Sequence, residues 1–280
     1  MADFINSYRT DTAMSDNDMA RFAPSIFAGE AHESRKESYG YIPTIDVLNE
    51  LRKEGYEVRS VAQQLCRDIG RRAHTRHMVR MTHPDMPHDA NGQHEIILLN
   101  SHDGTSSFRL ASGYFRFVCA NGLWIGQKDI DLRVYHRGKN IAREVIEGSF
   151  KVISDSREIA AHIDDLSAKR MEADKRFALA EHALRLRFGD NSPLTTEQAL
   201  MVRREGDRGD SYWNTFNIIQ ENLMRGGLYG RSPKTGKLRK VRPIAGMDKS
   251  ASFNANLWKA LRVIESHTDN STLKQALLEA

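Results

Sequence analysis

The chain has 280 residues, 40% hydrophobic and 28% charged, with a formal net charge of +4. That balance suits one or two globular domains with an adequate core. No apolar run reaches the roughly 18 residues that a membrane span needs, and Met1–Arg9 lacks the basic-then-apolar order of a secretory signal, so a cytoplasmic, membrane-free setting is expected.

Residues 1–38 read as an irregular arm, with Asp11–Asp18 polar and weakly periodic. Pro43 then opens a helix whose stripe is Ile45, Leu48 and Leu51, stopped at Gly55. Strands are predicted over 57–66, 75–81, 94–100, 107–119, 123–126 and 131–136, separated by turn-rich breaks such as Pro84–Pro87 and Asn121-Gly122. The strand after Ser107 is partly apolar on both faces, which marks it as central. Short connections favour antiparallel pairing.

The segment 141–152 is mixed in character, and a long helix is predicted from about 156 to 188, ended by Gly189. Thr195-Thr-Glu-Gln198 has the form of a capping box. Tyr212, Phe216, Ile219 and Leu223 share one helix face, and Gly226-Gly227 ends that helix. A last amphipathic helix is expected over 254–266. The fold class is therefore α+β: a central antiparallel β-sheet with an N-terminal helix and a C-terminal helical region. The expected division is an arm (1–38), an α+β core (39–153) and a helical region (154–280).

Charge is unevenly spread. Arg67, Arg71, Arg72, Arg76 and Arg80 crowd one segment, opposed only by Asp68. Arg225, Arg231, Lys234, Lys237, Arg239, Lys240 and Arg242 form a second, with no acid between Glu221 and Asp248. Period-2 alternation puts Arg76, Met78 and Arg80 on one strand face, so an arginine-lined sheet surface for a polyanion is one expectation, and a plain charged face is the other. Gly226–Lys237 reads as a flexible basic loop that follows phosphates. It lacks the glycine spacing of a P-loop, and Tyr229 is available to stack a base.

Asn100, Ser101, His102, Asp103 and Thr105 cluster at the end of an apolar strand. Side chains of this kind bond local backbone, and Gly104 tolerates positive φ, so a structured turn that could contact a ligand is expected before any chemistry. His102 with Asp103 and Ser101, Ser106 or Ser107 invites a hydrolase reading, but no nucleophile elbow surrounds them. Asp129 and Asp131 could pair around a nuclease metal. Six histidines lie between His74 and His102 without metal-ligand spacing, and Cys66 and Cys119 read as buried free thiols. No catalytic residue, metal or cofactor is assigned.

The strings Ile97–Ser107 and Gly113–Leu123, with Ala23–Ile26, Ser38–Thr44, Val145–Gly148 and Phe216–Gly227, resemble the uncharacterised phage- and plasmid-related family named domain of unknown function nine-three-two. The resemblance implies a mobile-element origin in a bacterial host and carries no catalytic residues. The leading expectation is a nucleic-acid-binding protein of phage or plasmid DNA recombination, with single-strand binding or annealing as its sharpest form and self-association a further option. The alternatives are an interaction protein acting on a host defence or replication factor, and a metal-dependent nuclease or hydrolase.

Overall fold

A computed structural model describes residues 5–35, 41, 43–88, 92–116, 123–125, 132–134, 141–244, 246–267 and 270–279. The chain divides into two compact units, residues 1–118 with 126–158 and residues 119–125 with 159–280.

The first unit is a sheet with short helices. Strands β1 (Ile5–Arg9), β2 (Glu57–Gln64), β3 (His77–Thr82), β4 (Gly92–Asn100) and β5 (Phe108–Arg116) pair antiparallel in chain order. The short strand β6 (Leu123–Ile125) falls among the residues of the second unit, and β7 (Leu132–Val134) belongs to the first and pairs with β5, Phe108 opposite Val134. β4 and β5 are buried along both faces, as expected for central strands. Val79, Met81, Ile96, Leu98 and Leu110 share one face and are fully or almost fully buried. Helix α2 (Thr44–Lys53) buries Val47, Leu48 and Leu51, one stripe at helical spacing.

Within the segment expected as an irregular arm, the described residues 5–35 carry regular elements. Ile5–Arg9 forms β1, the edge partner of β2, and α1 (Asp16–Phe22) follows. Ser15 caps α1, accepting from the Asp18 amide at 3.2 Å, and a 3-10 turn spans Pro24–Phe27. Met19, Ala23 and Ile26 are completely buried, which is the tertiary reason so polar a segment folds.

Helix α3 (Ile141–Ala168) has residues in both units, and the second unit continues with α4 (Ala173–Phe188), α5 (Thr196–Ala199) and α6 (Tyr212–Arg225). It is completed by the β8 (Tyr229–Arg231) and β9 (Leu238–Lys240) hairpin, α7 (Met247–Ser266) and α8 (Asn270–Glu279). Trp213 stacks on Phe216 with ring centroids 5.7 Å apart, and Trp258 meets both edge-on. The single helix expected over 156–188 is broken between α3 and α4. The Met171 amide bonds the Asp210 carbonyl at 2.7 Å and the Tyr212 amide bonds Lys169 at 3.1 Å, so non-local pairing pulls the backbone out of the helix. The Thr195 capping box forms as its sequence predicts.

Candidate functional site

Strand register builds a polar row in the first unit. Gln63 pairs with His77 and His77 with Asn100, so three polar side chains from β2, β3 and β4 lie abreast on the apolar face. Ser25 reaches them from the 3-10 turn and Thr44 from the first residue of α2. All are 3% exposed or less.

The bonding pattern fixes every proton. The Ser25 amide and hydroxyl both donate to Gln63 Oε1, at 2.9 and 2.8 Å. Ser25 Oγ must therefore accept from His77 Nδ1 at 2.9 Å, a nitrogen that also faces the Thr75 carbonyl. His77 Nε2 is left as an acceptor, and the Thr44 hydroxyl donates to it at 2.8 Å. Thr44 Oγ1 in turn accepts from Asn100 Nδ2 at 2.9 Å and from His102 Nε2 at 3.2 Å. A proton on His77 Nε2 would confront a hydroxyl oxygen already holding two donors. Burial, opposed weakly by the Thr75 carbonyl, pushes the His77 pKa down from 6.5 to about 4.

The following turn is self-capped, as its composition predicts. Asp103 Oδ1 accepts from the Thr105 amide and hydroxyl at 3.0 and 2.6 Å, and Ser101 Oγ accepts from the Ser106 amide at 2.9 Å. Gly104 adopts φ +74, and a Cβ there would meet the Arg35 guanidinium. His102 points to Thr44 while Asp103 holds Thr105, so the pair makes no charge-relay geometry. Among the described residues, the histidines between 74 and 102 form no group that could hold a metal ion. Asp129, Asp131, Cys119 and the Asn121-Gly122 turn lie outside the described residues. Cys66 is a free thiol but half-buried, not buried as expected.

The first basic segment does not form an arginine-lined face. Arg80 is only 7% exposed and its Nε stands 2.7 Å from Glu95, a fully buried carboxylate that Arg9 also contacts at 2.9 Å. Both guanidiniums lie 3.9 Å over the Phe115 ring. Burial pushes the Glu95 carboxyl up, but Arg80 and Arg9 outweigh it and hold it below the ordinary carboxylate range. Arg76 donates to the Thr105 carbonyl at 2.9 Å, bracing the turn. Arg67, Arg71 and Arg72 remain exposed on the loop after β2, with Arg71 3.7 Å from Asp68. Desolvation with a partner removes Arg80 from any phosphate-facing set.

The second basic segment is a β-hairpin where a flexible loop was expected. Tyr229 pairs with Lys240, Gly230 with Arg239 and Arg231 with Leu238. A Cβ on Gly230 would lie 2.2 Å from the Pro193 carbonyl oxygen, so the glycine side is pressed against that loop. The opposite face therefore presents Tyr229, Arg231, Leu238 and Lys240. Tyr229 is 57% and Leu238 63% exposed. Lys234, Lys237, Arg239 and Arg242 are also exposed around the hairpin, whereas Arg225 stands 3.2 Å from Glu221.

Helix α6 holds the hairpin's base. Asn222 accepts from Arg203, which also donates to the Gly226 carbonyl at 2.6 Å, and buried Glu221 binds Arg204 at 2.5 Å. Gly226 takes φ +64, and a Cβ there would strike the Val241 carbonyl. Ser25, Gln63, Thr44 and Arg203 carry no site assignment in the sequence, and His77 enters there only as one of the six histidines between 74 and 102. Ser25 and Thr44 lie within resemblance strings, which meet Asn100 of a third string in the polar row, whereas Gln63 and Arg203 have no such signal.

A sequence family described as "Domain of unknown function (DUF932)" matches residues 31–258. The chain is 40% identical over 260 residues to the UPF0380 protein YafZ of Escherichia coli K12, covering 90% of this chain and 92% of that one. The same figures hold for the UPF0380 protein YfjQ of that organism. No solved structure shows a significant match.

Proposed function

This chain belongs to the DUF932 family, and from that premise we propose that it binds nucleic acid through the β8–β9 hairpin, with single-stranded DNA as the preferred ligand. One observation carries the reading: an outward strand face on which an exposed tyrosine and leucine alternate with Arg231 and Lys240, free of nearby acids in sequence from 222 to 247. Cations along a strand neutralise successive phosphates, and an exposed ring offers a stacking surface to an unpaired base of any sequence. A mobile-element role in annealing or recombination fits that chemistry and the family resemblance. A cytoplasmic setting in a bacterial host is part of the same proposal; among the described residues no helix is long and apolar enough to cross a membrane.

The test is titration of labelled single- and double-stranded oligonucleotides across salt, with and without magnesium. Arg231→Glu with Lys240→Glu is expected to weaken single-strand binding at least about tenfold, and Tyr229→Ala to cost roughly 1–3 kcal/mol. Arg67→Glu with Arg71→Glu is the comparison for the other segment. Absence of binding at low salt overturns the proposal in favour of a protein partner. Magnesium-dependent cleavage overturns it in favour of a nuclease.

A further inference from the structure

Helices α3 and α7 of the second unit bring three metal-ligating side chains together, away from the hairpin. His162 and Asp165 are three residues apart on α3 and so share a face. Glu265 comes from the last turn of α7. One ligand atom from each residue can be chosen so that all lie within 4.8 Å of one another. His162 Nε2 stands 3.1 Å from Glu265 Oε2, yet the two lack the alignment of a hydrogen bond. Two donors bound at about 2.0–2.1 Å to one tetrahedral ion sit roughly 3.3 Å apart, so the spacing is that of two ligands to a common centre.

A cation already marks that centre. Lys169, one turn beyond Asp165, places its ammonium against Asp165 Oδ2 and 3.3 Å from Glu265 Oε1. Its side chain is half exposed, so it can swing into water at little cost. Trp258 lies edge-on to the His162 ring with centroids 5.8 Å apart, a reporter beside the site.

We propose that His162, Asp165 and Glu265 form a binding site for a divalent transition ion of the zinc class, for which the Lys169 ammonium is the built-in competitor. The donor set selects the ion. An imidazole nitrogen disfavours magnesium and calcium, which take oxygen ligands, while two carboxylates balance a double positive charge. Three protein ligands leave a fourth position to water, and the ion would clamp the end of α3 to α7. Lys169 and nearby Arg262 are the positive charges it must outcompete.

The test uses the purified full chain, stripped with a chelator and titrated with zinc by calorimetry. Tryptophan emission and the visible absorption of added cobalt are followed in parallel. His162→Ala is expected to remove one equivalent of zinc, and Glu265→Gln to weaken it at least about tenfold. Lys169→Met is expected to tighten it roughly two- to fivefold, an effect that loss of a structural ion pair does not produce. Circular dichroism checks that each variant is folded, and should His162→Ala not fold, Glu265→Gln and Lys169→Met decide. Unchanged zinc stoichiometry in folded His162→Ala, weaker binding in Lys169→Met, or equal binding of magnesium overturns the proposal.

Discussion

At the scale of single residues, the polar row shows how a buried histidine is held neutral. His77 has a donor on one nitrogen and an acceptor on the other, each answered by one hydroxyl. Removing the Thr44 hydroxyl strands two buried groups at once, the His77 acceptor and the Asn100 donor. Thr44→Val is therefore expected to cost about 3 kcal/mol or more in urea unfolding, and Thr44→Ser, which keeps the oxygen, about 1 kcal/mol. The His77 pKa falls on folding, so the unfolded chain binds the proton more readily. Stability from this group is complete above pH 6.5 and is lost as pH drops toward 4, by up to about 3 kcal/mol. Comparing urea midpoints at pH 7.5 and 4.5 checks this: His77→Gln is expected to flatten the difference. On the other sheet face, Glu95→Gln leaves Arg80 buried without its counter-charge and is expected to destabilise by roughly 3 kcal/mol in the same assay.

At the scale of elements, the hairpin depends on two glycines for different reasons. Gly226 supplies a left-handed backbone at the end of α6, and Gly230 supplies closeness to Pro193. Gly230→Val changes no charge but places a branched side chain where a carbonyl already sits. It is expected to lift the hairpin off its support and to weaken single-strand binding at least about fivefold, with the global unfolding midpoint little changed. Hydrogen exchange of the hairpin amides beside an oligonucleotide titration checks both halves. The α3–α4 break shows the opposite dependence. Nothing between Ala168 and Ala173 is a glycine or proline, and the interruption comes from pairing with 210–212, remote in sequence. Local propensity continues the helix there; tertiary hydrogen bonds stop it.

For the whole molecule, charge is organised by burial more than by count. The two arginine- and lysine-rich segments look alike in sequence, yet one sends Arg80 inside against Glu95 and Arg76 onto a turn, and the other keeps its cations in water. A net charge of +4 is modest, so long-range attraction to a polyanion is expected to come from the hairpin and not from the whole surface. Single-strand affinity should then fall linearly with salt on logarithmic axes, with a slope of about −0.7 per phosphate neutralised. Arg231→Glu with Lys240→Glu is expected to make the slope shallower by one or two phosphates, about 0.7–1.4, in the same titration series. A wild-type affinity unchanged by salt would sink this account of the surface.

The α+β class, the antiparallel strand succession, the central character of β5, the α6 face, the Thr195 cap and the self-capped turn after Asn100 are legible in the sequence. Each of these rests on periodicity or on side chains that bond backbone a few residues away, and such signals are local. Tertiary structure alone decided that the polar N-terminal segment joins the sheet, that the long helix breaks, and that the basic loop is a hairpin with one outward face. It also decided which arginines stay in water, and that Ser25, Thr44, Gln63, His77 and Asn100 form one network. Those outcomes depend on partners from 7 residues away, Arg231 with Leu238, to 86, Arg9 with Glu95, and a buried serine or an ion-paired arginine has the same letter as an exposed one.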